Sequence, residues 1–185
     1  MQTKLSDKKI KYDGSQLASH WILTTFGITG DAIVSFSGAC DVTLKHMVDL
    51  HDRAQKCRIF STSMCHFIVE IFEHDLERMV LRQRLLVSIM KDVLQELGAP
   101  ASLERRGNDL YDGDAKINVS IATISPVSTL IHAGVNICSK KTPVKTRGLD
   151  DYKIDATEFA SVVMKRFAKE MDEIEVARCK ARWVN

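Results

Sequence analysis

The residues best suited to chemistry lie in one stretch of the chain, between Arg105 and Ile137. Asn108 and Asp109 stand in a glycine-containing loop, and Lys116 follows at the start of a β-like run. A lysine ammonium is a compact point charge that binds a carboxylate or phosphate, and it stabilises negative charge that develops on an oxygen. The stretch therefore predicts a site for an anionic ligand such as a carboxylate or phosphate, held by Lys116.

Two β-like runs that flank one turn must position these groups. Each run alternates apolar and polar residues with a period of two, so one face is core and the other is polar. The pairing that brings the apolar faces together uses a loop at residues 126–128. It sets Asn118 opposite Asn136 and leaves open space above Gly134. The predicted polar floor consists of Lys116, Asn118, Ser120, His132 and Asn136.

A polar face of this kind can equally be solvated, because antiparallel sheets commonly expose one side to water. Two features favour a ligand site. Gly134 lies in mid-strand, where a glycine often marks the close approach of another group. The loop before Lys116 also supplies the amide of Asn108 and the carboxylate of Asp109.

This stretch resembles the catalytic core of the biotin and lipoate protein ligase superfamily. The resemblance rests on Asn-Asp-Leu at residues 108–110, Lys-Ile at 116–117 and Gly-Val-Asn at 134–136, which stand in the order found in that superfamily. Residues 145–151 are similar to the turn before its final helix.

Over its whole length the chain also resembles an archaeal family of uncharacterised proteins. That resemblance rests on Tyr-Asp-Gly-Ser-Gln-Leu at residues 12–17, Gly-Asp-Ala-Ile-Val at 30–34 and His-Phe-Ile-Val-Glu at 66–70. The resemblance to this narrower family implies no particular activity.

The superfamily resemblance implies an α+β fold, a mixed and largely antiparallel sheet packed with helices, in a single domain over residues 1–185. It implies a ligase or acyltransferase that binds or transfers an acyl or carboxylate cofactor through Lys116. Asn108 and Asp109 would then lie near a nucleotide or metal. ATP with magnesium is the cofactor it implies, and a carrier-domain protein is the implied acceptor.

The chain departs from the superfamily pattern at residues 61–63, Ser-Thr-Ser, which are predicted to form a turn. Lipoate ligases have an arginine-containing, glycine-rich loop there, and glycines let a backbone approach a phosphate closely. Transfer without ATP would need Cys65 or Cys138 as a nucleophile, although each is more commonly a buried structural cysteine. The alternative function is a non-catalytic module that binds a small acidic ligand or a protein.

Two long helices are predicted to support the site. One covers residues 75–97, with apolar residues at spacings of three and four, and Gly98 ends it. The other begins after Asp155, which forms a capping-box pattern with Glu158, and ends near Cys179. Further predicted elements are a helix at 16–26 and strands at 31–36 and 65–72.

Composition limits the remaining possibilities. With 185 residues, 45% of them hydrophobic and a net charge of +2, the chain predicts one globular domain and no nucleic-acid or membrane partner. The five cysteines include no Cys-x-x-Cys pair, and the start of the chain lacks a signal-peptide pattern, so a cytoplasmic location is expected. His46, Asp49, His51 and Asp52 are close in sequence, but their spacing favours a surface loop over a metal site.

Overall fold

A computed structural model of the chain describes residues 1–56, 58–140 and 142–184. The strands are β1 (Gln2–Leu5), β2 (Ala32–Val42), β3 (Ile59–Ile71), β4 (Glu104–Arg106), β5 (Asp109–Asp112), β6 (Ala115–Lys116), β7 (Asn118–Ile124) and β8 (Thr129–Asn136). The helices are α1 (Trp21–Phe26), α2 (Leu50–Ala54), α3 (Leu76–Glu96) and α4 (Ala156–Lys180), with a 3-10 helix at Leu149–Tyr152. No described helix is both long enough and apolar enough to cross a bilayer.

The main sheet has five strands in the order β1-β2-β3-β8-β7, and a small three-stranded sheet contains β4, β5 and β6. Only the β1–β2 pair is parallel among the pairs of described strands. The predicted α+β fold with a mixed, largely antiparallel sheet is confirmed.

The two long helices cover one face of the main sheet. Their core includes Phe67 from β3 and Phe159 from α4, whose rings meet edge to face at 6.1 Å. The predicted cap of α4 is present, and α3 is capped in the same way. The Asp75 side chain accepts a hydrogen bond from Arg78 N at 2.9 Å at the start of α3, and the Asp155 side chain accepts one from Glu158 N at 2.8 Å at the start of α4.

A second core fills part of the opposite face. Tyr12, Ile22 of α1 and Met47 pack there against side chains from β2 and β3. Helix α1 is shorter than the predicted helix at 16–26, because His20 adopts a left-handed conformation with φ of 62° just before it. The uncovered part of this face, next to β7 and β8, is the cleft described below.

The turn predicted at residues 61–63 is wrong, because β3 runs without interruption from Ile59 to Ile71. Its first half pairs with the distal half of β2, for instance Ser61 with Cys40, beyond an irregularity in β2 after Gly38. Thr62 and Ser63 lie at that irregularity, between the pairs Ser61–Cys40 and Met64–Gly38. The backbone oxygen of Ser63 accepts from Ile137 N at 2.9 Å, a contact that a local turn signal does not reveal.

The predicted hairpin exists, but its register is shifted by one residue. Ile124 pairs with Thr129, so the loop contains residues 125–128, and Ser125 N donates to Ser128 O across it at 2.7 Å. Asn118 consequently lies opposite Val135 instead of Asn136. A shift of one residue exchanges the two faces of a strand.

Candidate functional site

A cleft of about 390 Å³ opens at the edge of the main sheet, which is within the usual range for small-ligand sites. Strands β7 and β8 form its floor, the small sheet forms one wall, and the connection between β2 and β3 (43–58) contributes residues such as Met47, Asp49 and Arg58 to its lining. Seven of the eight predicted site residues line it: Asn108, Asp109, Lys116, Asn118, Ser120, His132 and Asn136.

Lys116 lies in the cleft with its charge already paired. Its Nζ is 2.9 Å from Asp109 Oδ2, and each side chain is about 30% exposed. The backbone of Lys116 is held on both sides, because Lys116 N donates to Lys145 O at 3.0 Å and Lys116 O accepts from Arg147 N at 3.1 Å. The ammonium is thus presented to the cleft from a fixed backbone position.

Asn118 and Ser120 lie at the inner edge of the cleft, but their polar groups bind the protein itself. Asn118 Oδ1 accepts from Leu110 N at 2.6 Å, and Asn118 Nδ2 donates to Asn108 O at 3.1 Å. Ser120 Oγ donates to the same Asn108 oxygen at 3.0 Å and accepts from Gln83 Nε2 at 2.8 Å. These contacts make both residues supports of the Asn-Asp-Leu loop, and the predicted polar floor loses two of its members.

The shifted register places Val119 and Ile121 on the cleft side, opposite Gly134 and His132. The floor is therefore partly apolar. The predicted open space above Gly134 is wrong, since a Cβ on this glycine would lie 2.8 Å from Met64 Cε. The absence of a side chain at Gly134 therefore leaves room for the side chain of Met64.

His132 and Asn136 remain on the floor as predicted, and both are almost fully buried. The Tyr12 ring stacks on His132 at 3.7 Å, and His132 Nε2 lies 3.1 Å from His66 Nδ1. Burial, and then the charge that His66 would carry, holds the pKa of His132 well below its usual range. Burial lowers the pKa of His66 to about 4. At neutral pH both imidazoles are uncharged.

Cys65, the candidate nucleophile beside residues 61–63, is the buried structural cysteine that the sequence analysis favoured. Cys65 belongs to the core under α3 and α4, where its Sγ lies 3.6 Å from Ser35 Oγ. Burial raises its pKa to about 12, so the thiolate is scarce at neutral pH. Cys138 follows β8 and is half-buried, but it is not among the described residues that line the cleft.

The sequence analysis did not assign three residues of the site, which are Tyr12, Met64 and His66. A signal was present in β3, because Met64, His66 and Ile68 alternate along one face. Residues 46–52 were also assigned only to a surface loop. There His46 Nδ1 lies 3.2 Å from Asp13 O, and Asp49 caps α2 by accepting from His51 N at 2.8 Å. The described residues include no group of three or more metal-ligating side chains of the His, Cys, Asp or Glu type that could hold an ion.

Comparison with solved structures shows the fold. A biotin protein ligase from Aquifex aeolicus in complex with biotin and ATP has a TM-score of 0.61 at 12% identity, covering 93% of this chain and 71% of that one. A putative lipoate protein ligase from T. acidophilum with bound lipoic acid has a TM-score of 0.59 at 13% identity, covering 93% and 86%. The chain has the fold of these ligases.

Nearer relatives share much more sequence. A protein of unknown function from Pyrococcus horikoshi has a TM-score of 0.93 at 35% identity, with complete coverage of both chains. The uncharacterized protein MJ0805 of Methanocaldococcus jannaschii is 39% identical over 174 residues, which are 90% of this chain and 78% of the relative. The family model described as "Domain of unknown function (DUF366)" matches residues 1–182. The chain belongs to this family.

Proposed function

We propose that the chain binds a small carboxylate or acyl ligand in the cleft, with Lys116 holding the carboxyl or carbonyl oxygens. The observation that carries the proposal is the position of Lys116, an ammonium on a fixed backbone in a cleft whose floor is partly apolar. A hydrogen bond from a charged donor to such an oxygen contributes about 1.5–3 kcal/mol.

The floor suits the apolar part of such a ligand. Val119 and Ile121 contribute aliphatic surface, and Met64 and Tyr12 line the cleft beside them. Each buried methylene of a ligand adds about 0.8 kcal/mol of apolar transfer free energy. A charged head with an aliphatic body therefore fits this cleft better than a uniformly polar molecule.

The charges of the cleft fit a triphosphate poorly. Of its two cationic side chains among the described residues, Lys116 is paired with Asp109, and Arg58 donates to Asp41 Oδ1 at 3.2 Å. The carboxylates of Asp49, Asp52 and Asp109 line the same space. The connection at 43–58 also contains no glycine to bring backbone amides close to phosphates. Binding without ATP and magnesium is therefore part of the proposal.

An enzyme is the second candidate, an acyltransferase or ligase acting on the same ligand class. The likeness in fold to the biotin and lipoate ligases favours it, as does the fixed lysine, which would stabilise negative charge developing on an acyl oxygen. A carrier-domain protein would be the acceptor, and the cytoplasm, where thiols stay reduced, would be the location. Transfer to such an acceptor separates this candidate from binding alone.

Calorimetric titration tests the proposal with octanoate, lipoate, biotin and ATP with magnesium, on the wild type and on Lys116→Met. The control is Lys145→Met, which removes an exposed ammonium near the cleft. We expect one of the carboxylates to bind and ATP not to compete with it. Lys116→Met should weaken that binding tenfold or more, whereas Lys145→Met should not. Equal binding by the two variants, or no binding of any carboxylate, would contradict the proposal.

A further inference from the structure

The two histidines under the cleft have hydrogen-bond roles that geometry alone assigns. His66 Nε2 lies 3.3 Å from the carbonyl oxygen of Gly38. A carbonyl oxygen only accepts, so Nε2 of His66 carries the hydrogen. In the neutral ring Nδ1 of His66 then has a free lone pair, and it accepts from His132 Nε2 at 3.1 Å. The Nδ1 atom of His132 is left as an acceptor.

The surroundings keep this arrangement in place. Burial lowers the pKa of both imidazoles, so neither carries a second ring hydrogen at neutral pH. The ring of His132 is clamped by the stacked Tyr12 ring at 3.7 Å, and Phe36 stacks on His66 at 5.1 Å. Ring rotation would break the chain of bonds that ends at Gly38.

His132 Nδ1 has no hydrogen-bond partner among the described residues, although His132 lines the cleft and is only 3% exposed. The buried side-chain atoms without a partner in the described part of the chain are limited to Asn108 Oδ1. Nδ1 of His132 is therefore reachable from the cleft, where it can accept from a ligand donor. The hydrogen bonds that run from Gly38 O through His66 to His132 form what we call the histidine relay. The relay leaves Nδ1 of His132 as an acceptor for whatever occupies the cleft, at a place away from Lys116.

The spacing along β8 defines the distance between the two polar ends. His132 and Asn136 are four residues apart on one face, which corresponds to about 13 Å. Asn136 lies at the Lys116 end, because its N and Nδ2 both donate to the oxygen of Ile117, the residue after Lys116. Val119 lies between the ends, opposite Gly134, and Ile121 lies opposite His132.

We propose that the ligand is an elongated carboxylate whose far end carries an N–H or O–H donor, which His132 Nδ1 accepts. His132 is then a specificity-determining residue that favours a donor-bearing tail over a purely aliphatic one, and His66 is a positioning residue that selects its tautomer. The carboxylate end rests on the function proposed above. The donor end rests on the histidine relay alone.

The first test measures the tautomers in the ligand-free protein. Two-bond proton–nitrogen NMR correlations of the imidazole rings, assigned with His132→Phe and His66→Phe, report which ring nitrogen carries the hydrogen. We expect both rings to be protonated at Nε2 and bare at Nδ1. A hydrogen on Nδ1 of His132 at neutral pH overturns the inference.

The second test compares three straight-chain carboxylates of matched length, about 6 to 12 carbons to suit the strand spacing. Their tails end in a hydroxyl, a methoxy group or a methyl group. The hydroxyl compound should bind about three- to tenfold more tightly than the methoxy compound, which accepts but does not donate. The preference should vanish in His132→Phe and persist in His74→Phe, which alters an exposed loop histidine.

The outcomes separate this inference from the proposed function. Equal affinity for all three tails, with a loss of binding in Lys116→Met, would leave the carboxylate site standing and overturn the inference. If no carboxylate binds, the proposed function fails, and octanol and octyl methyl ether then test the donor end alone. A shift of the His132 Nδ1 resonance with octanol, and none with the ether, supports the inference, whereas no shift with octanol overturns it.

Discussion

The side-chain oxygen of Asn118 accepts a hydrogen bond from the backbone N–H of Leu110 at 2.6 Å, which joins the main sheet to the small one. Asn118 begins β7, and Leu110 lies in β5 next to Asp109, the partner of Lys116. The bond is buried, so it is not exchanged for water. The bond therefore fixes the position of Asp109, the acidic partner in the ion pair, relative to the floor of the cleft.

Replacing Asn118 with alanine should therefore destabilise the protein. The variant leaves the buried Leu110 N–H without its partner, which costs about 1–3 kcal/mol in the free energy of unfolding. Urea unfolding of Asn118→Ala measures the loss. Lys165→Ala, at an exposed helical position, is the control and should change the unfolding free energy by less than about 0.5 kcal/mol. If Asn118→Ala and the wild type had equal free energies of unfolding, the bond would make no net contribution to stability.

The pairing of Asp109 with Lys116 should weaken the binding of anions. Asp109→Asn removes the charge that competes for the ammonium and repels a carboxylate. An ion pair of this exposure contributes about 0.2–1 kcal/mol, so binding of an anionic ligand should become about 1.4- to fivefold tighter. Titration calorimetry measures it, with the exposed Asp114→Asn as the control. Weaker binding in Asp109→Asn would instead show that Asp109 orients the lysine or contacts the ligand.

The helices that support the site could be predicted from the sequence because their signals are local. The periodic apolar positions of α3 and the cap at Asp155 depend on residues within a few positions of each other. Lys116, Asp109, His132 and Asn136 were also assigned to one site. That assignment needed only the hairpin and the loop before it.

The register of the hairpin could not be predicted in the same way. The alternation across residues 117–121 was treated as one strand, but Ile117 packs in the core under α3 and α4, whereas Val119 packs against the opposite core. The chain changes face between β6 and β7, where Ile117 N donates to Leu110 O at 2.9 Å. That contact depends on the small sheet, which strand periodicity does not encode. Asn118 and Ser120 were assigned to the ligand for the same reason.

The buried histidine pair should make the protein less stable in mild acid. Below about pH 6.5 the unfolded chain takes up a proton at His66, whereas the folded ring stays neutral until about pH 4. The stability present above pH 6.5 is therefore lost as the pH falls. For His66 the loss between pH 7 and 5 is about 2 kcal/mol, and the lowered pKa of His132 adds to it in the same direction.

Urea unfolding between pH 7 and 5 measures this dependence, above the range in which most carboxylates titrate. His66→Phe should have a shallower dependence than the wild type, whatever its absolute stability. His74→Phe should keep the wild-type slope, because that residue lies in an exposed loop. Identical slopes for the wild type and His66→Phe would contradict a neutral buried imidazole at position 66.

Two glycines near the cleft should differ in how well they tolerate alanine. At Gly134 the new Cβ would lie 2.8 Å from Met64 Cε, the mobile end of a flexible side chain. At Gly148 it would lie 2.5 Å from the backbone oxygen of Ile137, which cannot move without shifting the end of β8. Gly134→Ala should cost about 1 kcal/mol and Gly148→Ala about 3 kcal/mol or more. Thermal and urea unfolding compare them, and the reverse order would mean that Met64 is the more rigid neighbour.

Thiol labelling should distinguish a structural Cys65 from a reactive one. Iodoacetamide at neutral pH, followed by peptide mass spectrometry, should modify the exposed Cys179 first and the half-buried Cys138 more slowly. Cys40 and Cys65 should remain unmodified until the protein unfolds in urea, because burial raises the pKa of each to about 12 and also excludes the reagent. Modification of Cys65 in the folded protein would restore it as a nucleophile. Protection of Cys65 would leave Lys116 and the histidine relay as the groups on which any chemistry in the cleft depends.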